Sequence, residues 1–296
     1  MRIGIAGTGK MGSVIAARLH TLGNSVTVWN RSKERAQGLI DSGIGWAATP
    51  AELAAQCDVV LSLVTNEQAL DDVYLSPHGL LSGDVKGKLF IEMSTVQPAK
   101  QQALAKLAEN VHAAYLECPV SGSVGPAKDG KLIGFVGGDA QHLERAKAVL
   151  EQLCRRIEFV GPHGSGATMK LAINLPLMVY WQTLSEALSL IEPLGLDPQR
   201  VIEVFSESSA GPNMLKVRGP MIAQALAGEK NDAVTVDVAT MRKDVRAMLA
   251  QAQAHQRKLP LTEATLKSFD AAADSGLNAA DCTKLLVWWL QAGGKA

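Results

Sequence analysis

Residues 2–20 constrain this chain more than any other stretch. A short apolar run, Arg2-Ile-Gly-Ile-Ala6, enters the loop Gly7-Thr8-Gly9-Lys10-Met11-Gly12, and the loop leads into a helix-like run, residues 13–20. A G-x-G-x-x-G loop between strand and helix is the pattern a dinucleotide-binding βαβ unit needs. Gly7 permits the tight turn, Gly9 has no side chain to block a pyrophosphate, and Gly12 lets the helix lie close to the sheet. The helix start then offers free N–H groups and a partial positive charge to the phosphates. A second strand-like run, residues 25–29, follows at the distance a parallel crossover requires. A glycine-rich turn alone would say little; its place between strand and helix gives it meaning.

The first half of the chain continues in the same rhythm. Strand-like runs stand at residues 3–6, 26–29, 58–64, 89–93, 114–117, 132–136 and 157–160. They are mostly continuous apolar runs, as parallel strands covered on both faces are. Helical stretches at 33–42, 50–55, 99–110 and 140–153 separate them, and Thr49-Pro50 and Gln97-Pro98 read as helix starts. The rhythm stops at Gly161-Pro-His-Gly-Ser-Gly166. Residues 167–194 read as one long apolar helix, bent at Pro176 and ended by Gly195. Further helices are expected at 197–206, 234–254, 260–273 and 279–290. The expected fold is therefore α/β: an N-terminal doubly wound parallel sheet of Rossmann type, residues 1–162, and a C-terminal all-helical domain, residues 163–296.

Composition narrows the function. The 296 residues suffice for two domains, and Lys+Arg and Asp+Glu both total 29, so no basic excess points to nucleic acid. No apolar run is long enough for a bilayer span, and the first residues read as a core strand rather than a signal peptide, so a cytoplasmic protein without a membrane partner is expected. Cys57, Cys118, Cys154 and Cys282 are scattered, as reduced thiols are, and the six histidines lack metal-ligand spacing. No metal is expected.

Three segments carry chemistry beyond the loop. The strand at 26–29 runs on into Asn30-Arg31-Ser32-Lys33, without the carboxylate that grips a ribose 2′-hydroxyl in NAD sites. Arg31 with Asn30 and Ser32 suits a 2′-phosphate, so NADPH/NADP+ is expected ahead of NADH; Ser32 also reads as a helix N-cap. Next, Glu117-Cys-Pro-Val-Ser121-Gly122-Ser123 follows a strand, where ligands meet a doubly wound sheet. Its hydroxyls and unhindered N–H groups suit an anion, although a plain loop is the simpler reading. Finally, Lys170 and Asn174 lie four apart and share one helix face. A lysine on an apolar helix either reaches out to solvent or, desolvated, becomes a proton donor usable near neutral pH. The segment Asp237 to Arg246, which contains Lys243-Asp244, reads by itself as a charged helix face.

Together these segments resemble the β-hydroxyacid dehydrogenase family, which includes 3-hydroxyisobutyrate dehydrogenases and glyoxylate/succinic semialdehyde reductases. The likeness spans essentially the whole chain and rests on the 7–12 loop, Pro119-Val-Ser-Gly122, Gly164-Ser-Gly166 with Lys170 and Asn174, and Lys243-Asp244. It implies an active site in a cleft between the two domains, with Lys170 as catalytic acid/base and Asn174 holding the substrate. Ser121, Gly122 and Ser123 would bind the substrate carboxylate. Ser94-Thr95 would contact the nicotinamide ribose, Val64, Thr65 and Asn66 would run beside the cofactor, and Lys243 would close over it. The substrate implied is a small carbonyl or hydroxy acid bearing a carboxylate, and the assembly a homodimer or homotetramer. The chain departs from the commonest pattern at Cys118 (usually Ala), Ser123 (often Gly) and Thr65-Asn66 (commonly Leu-Pro), which leaves the substrate open. Two other readings share these motifs. Imine reductases have this architecture but usually carry Asp or Tyr at the Lys170 position, and a non-catalytic NADPH-binding scaffold would be expected to have lost the lysine.

Overall fold

Uninterrupted apolar strands form the centre of a parallel sheet. The computed structural model describes residues 1–229 and 233–294, and the chain divides into two compact units, Met1–Leu171 and Ala172–Ala296. In the first unit the order is β1 (Arg2–Ala6), α1 (Lys10–Thr21), β2 (Ser25–Trp29), α2 (Gln37–Asp41), β3 (Gly45–Trp46), α3 (Pro50–Gln56), β4 (Val59–Ser62), α4 (Glu67–Leu75), β5 (Leu89–Glu92) and α5 (Pro98–Asn110). It continues through β6 (Ala114–Glu117), β7 (Val120–Ser121), α6 (Val124–Asp129), β8 (Leu132–Gly138), α7 (Ala140–Leu153) and β9 (Cys154–Gly161).

The strands lie in the order β3-β2-β1-β4-β5-β6-β8-β7, with β9 on β8. From β3 to β6 every pairing is parallel; β8 runs antiparallel to β6 and β7 and parallel to β9. The direction of winding reverses between β1 and β4, and ligands enter doubly wound sheets at the carboxyl ends of the strands beside such a reversal. Successive residues serve opposite faces. Ile5, Leu61, Ile91 and Leu116 join one core cluster, while Ala6, Val60, Phe90 and Tyr115 join the other. Both faces are buried, which is why the strands read as continuous runs instead of alternating ones.

Capping sets several helix starts. Thr49 Oγ1 accepts from the Glu52 N–H at 3.1 Å, with Pro50 in the first turn of α3. Asp197 accepts from the Arg200 N–H at the start of α9 (Pro198–Glu207). The unit boundary falls inside α8 (Ser165–Ile191), a continuous helix that contains Pro176. α10 (Asn213–Leu226), α11 (Val238–Ala254), α12 (Pro260–Ala272) and α13 (Thr283–Trp288) complete the second unit. Gly195, with φ +59°, ends the run that follows α8.

Sequence and structure differ at identifiable points. β3 and β7 are two residues long, too short for any periodicity. α10 contains Gly219 and Pro220, which read as breakers, yet an added Cβ at Gly219 would stand 2.9 Å from Ile202 of α9. The glycine is there for close helix packing. α11 starts at Val238 instead of 234, because Asp237 accepts from the Thr240 N–H and caps it there. Among the described residues no helix is long and apolar enough to cross a membrane, and no group of three His, Cys, Asp or Glu residues could hold a metal ion.

Candidate active site

The glycines of the loop between β1 and α1 have different roles. Gly7 has φ +103°, and a Cβ there would lie 2.2 Å from the Leu63 carbonyl oxygen. A Cβ at Gly12 would lie 1.9 Å from the Gly7 oxygen, whereas one at Gly9 would meet nothing within 4 Å. Two glycines thus close the turn onto the sheet, and the middle one keeps open space where a pyrophosphate needs it. Thr8 Oγ1 is buried with no hydrogen-bond partner among the described residues, so the loop holds an unused polar atom. Lys10 is exposed and Met11 half-buried at the start of α1. This arrangement fits a dinucleotide.

Asn30 joins the loop to the end of β2. Its Oδ1 accepts from the Thr8 N–H at 3.2 Å, and its Nδ2 donates to the Ser32 carbonyl at 2.9 Å. Arg31 is exposed beside them, and Ser32 occupies the N-cap of a short 3-10 turn, Lys33–Ala36, without a side-chain capping bond. Across the switch point, the Val64 N–H donates to Ser94 Oγ at 2.8 Å, so the segment after β4 and the Ser94-Thr95 turn after β5 are held together. The side chain of the exposed Asn66 also accepts from the Ala69 N–H and so caps α4. Thr65 is exposed and Thr95 half-buried.

The start of the helix that contains Lys170 is anchored by Glu117, a residue to which the sequence alone assigns no role. Glu117 ends β6, is fully buried, and through Oε1 accepts from the N–H groups of Gly164 and Gly166, each at 2.7 Å. Gly166 begins the turn that carries Lys170. A Cβ at Gly166 would stand 2.4 Å from the Phe135 carbonyl oxygen, so the first turn of α8 lies against β8. Burial pushes the Glu117 carboxyl up to about 7, against the opposing pull of the Gly166 and Gly164 N–H groups. Glu92, its register partner on β5, is buried as well and accepts from the Ser94 N–H and from Gln101 Nε2. A signal for both acids does stand in the sequence: each four-residue apolar strand, LFIE and AYLE, ends on one.

Four residues after Glu117, Ser121 is half-buried, and Gly122 and Ser123 are exposed. Gly122 has φ +126°, and a Cβ there would press on Leu132 at 2.7 Å, so this turn requires glycine. Cys118 is fully buried, and burial drives its thiol well above the usual range, which leaves no nucleophilic thiolate. Lys170 is half-buried on α8. In the second unit Asn174 is buried, and its Nδ2 donates to Asp244 Oδ2 at 3.5 Å. Lys243 Nζ lies 2.9 Å from the other oxygen of Asp244. Asn174, Lys243 and Asp244, brought together from distant parts of the second unit's sequence, therefore meet around one buried carboxylate.

Residues 2–161 match the NAD binding domain of 6-phosphogluconate dehydrogenase, and residues 164–289 match the NAD-binding domain of NADP-dependent 3-hydroxyisobutyrate dehydrogenase. The chain is 34% identical to a 3-hydroxyisobutyrate dehydrogenase of Pseudomonas aeruginosa, over 96% of this chain and 97% of that one. It is 30% identical to glyoxylate/succinic semialdehyde reductase 2, chloroplastic, of Arabidopsis thaliana, over 96% of this chain and 78% of that one. A solved structure of Psf3 in complex with NADP+ and 2-OPP superposes with a TM-score of 0.86 at 26% identity, covering 96% of this chain and 99% of that one.

Proposed function

Because the chain belongs to the β-hydroxyacid dehydrogenase family, and so is an NAD(P)-dependent oxidoreductase of CH–OH and C=O groups, we propose that it uses NADPH to interconvert a small hydroxy acid and its aldehyde acid. The substrate is of the 3-hydroxyisobutyrate, glyoxylate or succinic semialdehyde class. One observation carries the reading. Lys170 stands one helical turn before Asn174, on a helix whose start is bonded to the strand that leads into Ser121, Gly122 and Ser123.

In this reading each residue has a distinct role. Ser121, Gly122 and Ser123 receive the substrate carboxylate and so fix its distance from the reacting carbon. Lys170 gives its proton to the carbonyl oxygen in the reducing direction and takes it back in the other. Asn174 orients the substrate oxygen. The nicotinamide, when bound, supplies the hydride for reduction and accepts it in oxidation. Gly7, Thr8, Gly9, Lys10, Met11 and Gly12 hold the pyrophosphate, and Asn30, Arg31 and Ser32 the 2′-phosphate. Val64, Thr65, Asn66 and Thr95 line the nicotinamide half.

The test is NADPH oxidation with glyoxylate, succinic semialdehyde, methylmalonate semialdehyde and tartronate semialdehyde, each repeated with NADH and set beside a cyclic imine. Saturable turnover of at least one aldehyde acid, with NADPH preferred, is the expected result. Inactivity on all four despite intact NADPH binding, or turnover of the imine alone, overturns the proposal.

A further inference from the structure

Glu117 is placed where stability alone gives it little reason to be. A buried carboxylate is costly, and an unpaired oxygen makes it costlier; Oε2 of Glu117 is buried with no hydrogen-bond partner among the described residues. Two glycines make way for it. An added Cβ at Gly137 would stand 2.1 Å from Oε1, and one at Gly166 would stand 3.2 Å from both Oε1 and Cγ.

What the carboxylate joins is more informative. On one side, the chain from Glu117 to Ser121 is fixed residue by residue. The Cys118 N–H donates to the Glu92 carbonyl, the Phe135 N–H donates to the Pro119 carbonyl, and Val120 and Ser121 pair with Gly134 and Ile133 of β8. On the other side, Gly166 is followed by one turn of helix to Lys170, about 6 Å along the axis. Both arms are stiff, and Glu117 Oε1 is the joint between them.

We propose that Glu117 is a positioning residue, whose buried carboxylate holds the Gly164 and Gly166 N–H groups and thereby sets Lys170 against the Ser121, Gly122 and Ser123 turn. The proposal rests on the reading of Lys170 as the proton donor and of that turn as the carboxylate site. Its chemistry adds a pH dependence. Among the described residues, the ionisable groups placed near Glu117 are Glu92 on β5, Tyr115 and Cys118 on its own stretch of chain, and His163 in the turn before α8, while β8 faces it with backbone at Gly137. Glu92 raises the Glu117 carboxyl further, in the same direction as burial. Above the midpoint near 7 the carboxylate makes charge-assisted bonds to both N–H groups. Below it the protonated acid holds them more weakly, Lys170 is less well placed, and turnover falls.

The experiment uses the full-length enzyme with NADPH and the best substrate of the panel. In wild type labelled with ¹⁵N-glycine, the Gly166 amide resonance should titrate with a midpoint near that of Glu117, and kcat should fall on the acid side with the same midpoint. E117Q keeps an acceptor oxygen but cannot ionise. It should flatten the Gly166 titration and lower kcat by about 10- to 100-fold, with the KM for NADPH unchanged and no acid limb at that midpoint. E117D, which keeps the charge, should keep the limb. A flat Gly166 resonance in wild type, which needs no variant to fold, overturns the proposal, as does an E117Q enzyme with wild-type kcat and pH profile. Turnover surviving in K170A overturns the underlying reading of Lys170. An inactive K170A beside an unaltered E117Q overturns the Glu117 proposal alone.

Discussion

Arg31 stands where an acid would otherwise select the ribose hydroxyl of NAD, and it projects, exposed, from the end of β2 beside Asn30. A guanidinium bonded to a phosphate contributes about 1.5–3 kcal/mol, so Arg31→Ala should raise the KM for NADPH by about 10- to 100-fold. The KM for NADH should stay nearly constant, because NADH lacks the group being gripped. Steady-state kinetics with both cofactors checks this, and an equal loss for both would contradict the role. Legibility at this scale follows local anomaly. Gly7, Gly9, Gly12, Arg31 and Lys170 can be proposed from the sequence because a glycine pattern, a missing acid and a lysine on an apolar helix stand out from their neighbours. The contacts of Glu117 with Gly164 and Gly166, 47 and 49 residues away, and of Asp244 with Asn174, 70 residues away, are not readable in that way, because only tertiary packing brings them together.

In the proposed function, cofactor binding depends on the joint between β1 and α1. A methyl group at residue 12 would fall 1.9 Å from the Gly7 carbonyl oxygen, so Gly12→Ala must push α1 away from the loop. Overpacking of this kind costs about 1–3 kcal/mol. The variant should melt at a lower temperature and bind NADPH more weakly, as thermal denaturation and fluorescence titration would show; wild-type values in both would mean that helix and loop do not pack as described. Elements are legible in proportion to their length and uniformity. The runs at β1, β4, β5 and β6 are unbroken and apolar because they are buried on both faces. α4 is hidden in the sequence because Asn66, which reads as part of a cofactor segment, is its cap. α10 is hidden because Gly219 and Pro220 have loop chemistry, and only the approach of Ile202 explains the glycine.

For the whole molecule, titration links stability and activity with opposite signs. The folded-state value of Glu117, about 7, lies above its ordinary 4.5. Its contribution to stability is therefore fully present below pH 4.5 and is lost as pH rises through 7. Measured against E117Q, wild type should lose thermal stability across that window while it gains turnover. A joint rise or fall of the two would contradict the link. The second unit exposes Leu190, Leu194, Val204, Val217 and Leu261, each more than half accessible. The family resemblance implies a homodimer or homotetramer, so light scattering should give two or four times the monomer mass, and a monomer at micromolar concentration would contradict it. The central claim is that Lys170 moves the proton while other residues hold the cofactor. It is tested most directly by comparing kcat and NADPH affinity in K170A and wild type on the same preparation. The expected result is a fall in kcat of about 100- to 10,000-fold with NADPH affinity unchanged; near-normal turnover in K170A would contradict it.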